Sequence, residues 1–573
     1  MQSMNLELDE DQSHSTSFTS KNIFEKYIFP IVAEANRVKR VPNIVRLIEF
    51  FYIFVQIAFV GFDDVIPDTN IDNSYRIILN IVFFGFVGPA DTHIPFFIAL
   101  ILIDFFTFLI FIGTIIDYHI NHEYRKSLIS ILRIWHGHLF GIFLIPNILM
   151  IASNLSYLGS NFNAFGFLIL IFSAIFGVYS IWHCLVLLSF FSRSPYLTPC
   201  PVQAWNIKNV YIVIVLFSIP IAIAKFLSFD FDDWFDFIPI ILGLIVCIIG
   251  CIFCLYFPFK GVGYNALCYL ALGNSIGSSI MMILLVGTDL DIPDLVFYGI
   301  SIGVGIVLSI VMYFVLLNKQ RKIVKQLNYA SFWDNDEVKP TEDAKREHFS
   351  AFNFSSPLTR LLYVQIGFEF MCDLSVDWAL ERYLSEQYPE DDALLVFMCW
   401  IVSLFPSEIH FLHNLITLEG KIPVRSLNEK CMIFQVHRIH IFRQSSASRE
   451  ASTDFAKVNQ LTTNAINAFC KFWANVANPN VEFDEKIYTQ LSNQQHQADA
   501  AWSEALDKYP NNSRFQNEYS RYLCDCCCAF KKSIIIHQHA AQLDSGAKLI
   551  NDRNFHHFVL TFPNYLKKGV VDV

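Results

Sequence analysis

Asp104 carries the most chemistry of any residue in an apolar setting. It stands in the middle of ILIDFFTF. A carboxylate at the bilayer centre costs about 2.5–3.5 kcal/mol on insertion scales, so it faces other helices and takes a partner. Proton or ion coupling is one use of such an acid; a structural hydrogen bond or simple neutralisation is the other. His136, His138 and His183 lie within or beside apolar segments and read as packing or interfacial residues. Lys225 can snorkel to the outer face. Gly273-x-x-x-Gly277, with Ser275, Ser278 and Ser279, and Gly299-x-x-x-Gly303, with Gly305, lie on consecutive apolar segments. Small residues at this spacing let helix backbones approach in lipid. They mark either a helix-packing face or a path lined by small residues.

The soluble half offers fewer reactive sets. Cys524, Cys526, Cys527 and Cys528 are crowded into one turn. Structural zinc takes separated C-x2–4-C pairs with a second pair elsewhere, and three consecutive cysteines on a helix point in three directions. Buried or half-buried thiols are the expectation, and nothing flanking them supports palmitoylation. His410/His413 and His437/His440 are i,i+3 pairs, each half of a metal site without a carboxylate or thiol to complete it. No catalytic residue, cofactor or metal is assigned.

The elements that position these residues follow from composition. The 573-residue chain is 54% hydrophobic and 16% charged, against about a quarter charged in soluble domains. The apolar residues are concentrated before position 320. A net charge of −11 without a dense basic patch away from the membrane flanks argues against nucleic acid. The first 20 residues are polar with no apolar core, unlike a signal peptide. None of the 14 cysteines falls in a loop placed outside the cytosol, so no disulfide is expected.

Apolar spans run over 47–62, 94–116, 135–153, 164–191, 209–228, 237–259, 264–287 and 295–317. Arg37, Lys39, Arg40 and Arg46 precede the first, and Lys319, Arg321, Lys322 and Lys325 follow the last. Between them cations recur in alternate loops: Arg125, Lys126 and Arg133, then Arg193 and Lys208, then Lys260. Lys and Arg mark cytoplasmic ends. The alternation works if 75–117 cross once, giving eight spans, a re-entrant or interfacial helix at 75–89, and both termini in the cytosol. A nine-span chain is the rival. Asn154-Leu155-Ser156 is a glycosylation sequon in a loop placed outside.

The fold class expected is all-α: a cytosolic, disordered or juxtamembrane N-terminus (1–40), a polytopic membrane domain (41–320), a linker (321–350) and a cytosolic helical region (351–573). The run 393–405 is apolar but too short to span and reads as a buried core helix. In 501–530, Trp502, Ala505, Leu506 and Tyr509 mark one inner helix face and Pro510 turns the chain. Ser513-x-x-Gln516 reads as a capping box. Phe515, Tyr519, Tyr522, Cys526 and Phe530 then recur at three or four. Paired amphipathic helices about a Pro turn are the unit of tetratricopeptide-type arrays.

This W-x-x-A-L-x-x-Y-P turn, the helix after it and the distal FVLTFPNYLKK resemble the helical region of tiny-macrocysts type membrane proteins and of the large receptor-type guanylate/adenylate cyclase-like proteins of protists. The resemblance covers most of the chain in layout. It implies a receptor- or sensor-like multipass protein in the lipid bilayer of the plasma membrane, with a protein partner for its cytosolic helices. The cyclase-like members carry a further membrane segment and a cyclase domain beyond this region. Here the sequence ends at Val573 with neither, and no catalytic residue carries over. A non-enzymatic receptor-like component is therefore expected, with a transporter or channel regulated by its helical C-terminal region as the alternative.

Overall fold

The computed structural model describes residues 24–38, 41–60, 94–121, 125–160, 164–192, 194–197, 205, 207–227, 237–288, 293–333, 340–422, 426–443, 449–478, 485–545 and 552–567. The expected interfacial helix at 75–89 lies outside them. Among the described residues the structure is helical, without strands. Five helices are long and apolar enough to cross a membrane: Pro95–Ile120, Lys126–Leu155, Ala164–Ser192, Val262–Leu284 and Val296–Leu327. Val210–Pro220 and Ile238–Cys254 are shorter apolar helices. Outward-facing Phe106, Val178, Val307 and Phe314 are exposed, as residues meeting lipid rather than water would be.

The first half is built from α1 (Phe29–Val38), α2 (Asn43–Val60), α3 (Ile94–Asn121), α4 (Lys126–Ile131), α5 (Leu144–Ser160), α6 (Ala164–Trp182), α7 (Leu188–Ser192), α8 (Ile207–Leu227), α9 (Phe237–Cys254), α10 (Val262–Thr288) and α11 (Asp294–Leu327). A π-helical turn, Leu132–His136, follows α4, and another, His183–Leu187, joins α6 to α7. α5 packs between α6 and α8, and α10 packs on α2, α9 and α11.

Two loop assignments change. Arg133 is not a loop cation: it is buried, and its Nη1 donates to the Phe191 carbonyl at 2.8 Å. Asn154 sits within α5 rather than in an outside loop, where its Nδ2 donates to Ser173 Oγ at 2.9 Å. Buried in a helix contact, it is no glycan acceptor.

The small-residue contact between α10 and α11 is real but uses a different face of α11. A Cβ on Gly273 would come within 2.9 Å of Gly305 Cα, and one on Gly277 within 2.8 Å of Ser301 Cα. A Cβ on Gly299 or Gly303 would meet nothing within 4 Å. Two residues along a helix is about 200° of rotation, so Ser301 and Gly305 face α10 while Gly299 and Gly303 face away from it.

The second half continues with α12 (Glu342–Ser350), α13 (Pro357–Phe370), α14 (Asp373–Val376), α15 (Ala379–Gln387), α16 (Asp392–Val402), α17 (Ile409–Glu419), α18 (Leu427–Arg443), α19 (Arg449–Val476), α20 (Glu485–Lys508), α21 (Ser513–Asp525), α22 (Phe530–Asp544), α23 (Arg553–Thr561) and α24 (Asn564–Lys567). α16 is the buried helix expected of 393–405, with Leu394, Met398, Cys399 and Ile401 fully covered. Part of the expected linker is ordered: Thr341 caps α12, Lys345 pairs with Asp377 at 2.7 Å, and Phe349 is buried.

Helices α19 and α20, and α21 and α22, pack as consecutive pairs around a core separate from the main one. Trp502 Nε1 donates to Thr462 Oγ1 at 2.9 Å, and the indole lies against Tyr519 and Tyr522. Ala505 and Tyr509 are buried beside it, Leu506 is partly buried, and Tyr509 stacks on Phe515 across the Pro510 turn. The cap of α21 is Asn512, whose side chain accepts from the Arg514 amide. Gln516 Nε2 donates to Pro510 O instead of closing the expected box on Ser513.

Candidate functional site

The buried polar groups of the membrane-side bundle form two neighbouring sets. Asp104 on α3 is fully buried, and its Oδ1 accepts from Asn147 Nδ2 on α5 at 3.2 Å. Its Oδ2 and Asn147 Oδ1 have no hydrogen-bond partner among the described residues. Tyr179 on α6 stands within electrostatic reach of Asp104, with its hydroxyl buried and also unpartnered. Its ring lies 5.8 Å from that of His183. His183 Nε2 in turn lies 3.1 Å from His136 Nδ1. Both histidines belong to the π-helical turns, a distortion that re-aims side chains and recurs at functional sites. The set runs Asp104–Asn147, Tyr179, His183, His136, all without charge compensation.

The second set is a hydrogen-bond network around one buried carboxyl group. Glu49 on α2 places Oε2 2.8 Å from His138 Nδ1, and its Oε1 accepts from the Tyr211 hydroxyl on α8 at 2.9 Å. Arg46, one turn before Glu49, acts on the same carboxylate electrostatically. Glu49 and His138 are both nearly inaccessible. These groups line one cavity of about 100 Å³, whose remaining walls, such as Phe50, Ile53 and Leu272, are apolar. A concave apolar site with a few converging polar groups is the usual form of a small-molecule pocket.

Of the residues expected from sequence, Asp104 is central to the first set, while the Gly273–Gly277 face packs helices away from it. Asn147, Glu49 and Tyr211 escaped sequence reasoning. A lone Asn or Tyr inside an apolar run carries no charge to mark it as a partner, and Glu49 stands near the end of its span beside Arg46. Asn147 within LIPNILMI was the one legible hint.

The second half gathers several histidines close together. The His413 and His440 rings stack at 5.5 Å and His437 lies 6.5 Å from His440. No group of three potential ligands is found among the described residues. In the cysteine turn, hydrogen bonding from Cys526, together with Tyr522 and Gln495, holds the Cys527 thiol down to about 7 against the opposing effect of burial. Cys526 is buried and Cys528 exposed.

The two halves meet across hydrogen bonds and rings. Gln365 Nε2 on α13 donates to Phe257 O at 3.0 Å, and Asn36 Nδ2 on α1 donates to Gln435 Oε1 on α18 at 3.0 Å. His557 Nδ1 on α23 lies 3.0 Å from Leu197 O. Trp205 meets Phe368 and Trp400 edge-on, and the Lys260 ammonium sits 3.9 Å from the centre of the Phe562 ring. One apolar cluster runs without a break from Phe97 and Leu144 through Leu316 and Leu327 to Val364, Ile401 and Tyr565. Comparison with known proteins finds no family model, no curated relative and no solved structure that matches this chain.

Proposed function

We propose that the chain is a receptor- or sensor-like membrane component in which cytosolic helices read the state of the membrane bundle. The observation that carries this is the single apolar core shared by the two halves. A bundle and a scaffold that merely shared a tether would have separate cores. A rearrangement around the Glu49–His138 cavity would move α8 and Trp205, whose ring packs on α13 and α16. Output then passes through protein contacts rather than a reaction. The α19–α22 pairs, read as a tetratricopeptide-like region, supply the partner surface, supported by exposed Trp473, Tyr488, Phe530 and Ile534. The resemblance to tiny-macrocysts type and receptor-type cyclase-like proteins, a plasma-membrane location and cytosolic termini belong to the same proposal, resting on the sequence pattern alone.

The test is hydrogen exchange of the full chain in nanodiscs of differing acyl-chain length. Exchange in 357–419 should change with bilayer thickness. Invariant exchange there, alongside changes within the bundle, would sink the sensor reading.

A transporter or channel is the second reading. It is favoured by the line of buried, uncompensated groups from Asp104 to His136, since intramembrane acids and histidines serve proton and ion relays. Ion or proton flux in reconstituted vesicles, lost in Asp104→Asn, would establish it.

A further inference from the structure

Glu381 on α15 is 1% exposed, and neither carboxyl oxygen completes a well-formed hydrogen bond among the described residues, although its own amide and the Ser375 hydroxyl stand close enough to favour its charged form. No Lys or Arg among them forms an ion pair with it. Arg382, the adjacent cation, turns its guanidinium over the Phe411 ring instead. Burial holds the Glu381 carboxyl well above the usual carboxylate range. A buried acid left so costs several kcal/mol unless it is neutral or matched.

It opens onto a cavity of about 50 Å³. The Ser375 hydroxyl, buried and likewise without a well-formed hydrogen bond, shares that cavity, and half-exposed Glu408 stands on its wall. Ser407 and Val376 complete the wall with four aromatic residues. Trp378 meets Phe405 edge-on at 5.0 Å, and Phe405 lies 5.5 Å from Tyr565. The Tyr565 hydroxyl is spent on the Phe368 carbonyl at 2.6 Å. Trp378 is held at φ +61°, left-handed backbone that a bulky residue rarely adopts. Strain of this kind concentrates where a side chain must be aimed.

The lining is thus rich in acceptors and poor in donors. Two carboxylates, Glu381 and Glu408, and two serine hydroxyls, Ser375 and Ser407, line the cavity beside four aromatic residues. A divalent metal would want six or more oxygens with several carboxylates among them, and here only Glu381 and Glu408 supply carboxylates, short of a ligand cluster among the described residues. Carboxylates and hydroxyls beside aromatic residues are the chemistry that recognises an organic ammonium. We propose that this cavity, at the junction of α14, α15 and α24, binds a primary ammonium group, either a free small amine or a lysine side chain. The volume admits a methylammonium-sized head, with the three N–H bonds shared among Glu381, Ser375 and Glu408. The inference is independent of the membrane-coupling reading, although Phe368 links the cavity to Trp205.

The experiment titrates the full chain in detergent with methylammonium chloride and with Nα-acetyl-lysinamide. Tryptophan fluorescence and melting temperature are read against sodium chloride at equal ionic strength. Saturable quenching and stabilisation by either amine are expected. Stronger binding of methylammonium identifies a free amine as the source, and stronger binding of the lysine derivative a side chain. Glu381→Gln should weaken binding at least tenfold while melting no lower than the parent, since it removes an uncompensated acid. Glu408→Gln, outside the buried core, should weaken it by about threefold and covers the case where the first variant misfolds. No saturable response to either amine, or equal responses in the parent and in Glu381→Gln, would overturn the proposal.

Discussion

Asp104 is held by a neutral amide, so Asn in its place can keep a hydrogen bond to Asn147. Asp104→Asn is therefore expected to fold and reach the membrane, melting within about 1 kcal/mol of the parent. Under the sensor reading, vesicle flux stays at background in both. His440 shows how burial sets a pH dependence in the soluble half. Burial, with His437, His413 and Arg443 nearby, pushes its imidazole from 6.5 down to about 4. Below the ordinary value the unfolded chain takes up a proton that the folded chain refuses, so stability falls as pH drops. The loss starts near pH 6.5, is complete near pH 4, and amounts to roughly 3 kcal/mol at most. His440→Gln should flatten this acid limb, measured as the difference in melting between parent and variant from pH 7 to 4. An unchanged difference across that range would show that His440 is not the group responsible. Trp502 is the largest fully buried side chain, and its indole N–H is satisfied by Thr462. Trp502→Ala should lower the opening free energy of α19–α22 by about 3–5 kcal/mol through cavity formation. Hydrogen exchange over 449–545 reads this directly; protection unchanged there would contradict the packing.

Helix α10 meets α11 through backbone, which makes the two glycine sets a clean comparison. A Cβ on Gly305 would fall 2.7 Å from Leu270 O, a backbone atom that cannot swing aside. Gly305→Val should therefore separate the helices and lower the melting temperature in detergent. Gly303→Ala and Gly299→Ala face open space and should be neutral or slightly stabilising, since Ala is favoured over Gly in a helix by about 1 kcal/mol. Equal damage from both sets would mean the contact face is misassigned. The glycine pattern was legible in sequence, but its face was not, because both registers offer small residues two positions apart. Elements whose cause is local were readable: the apolar spans and the buried helix at 392–402 follow from run length and composition. The partners of Asp104 and Glu49 were not, because the contacts join residues 43 and 162 positions apart through neutral side chains. Glu381 was hidden for the opposite reason. The α15 sequence ALERYLSEQ reads as a solvated surface helix, and only the docking of α12, α13 and α14, with Tyr565 of α24, buries it.

The sequence divides near residue 320 into apolar and polar halves, yet the folded chain does not divide there. α11 runs unbroken for 34 residues, roughly 51 Å at the helical rise, against a hydrocarbon core of about 30 Å. Its basic end projects from the bundle as a post. Lys319 there donates to Leu255 O at 2.8 Å, and α13 packs on the last turns. The last turn of α11 meets the second-half helices through Gln326, which accepts from the Tyr363 hydroxyl, and aromatic contacts at Trp205 complete the seat. The α19–α22 pairs keep their own core and lie outside this junction. The two soluble units should then respond separately to a lesion at the junction. Trp205→Ala removes an edge-on ring from Phe368, Phe397 and Trp400 and should speed hydrogen exchange throughout 357–419. Exchange in 485–545 should stay within error of the parent. A lesion felt equally in both regions would mean that the soluble half moves as one body, and a lesion felt in neither would mean that the shared core does not couple the bundle to the scaffold.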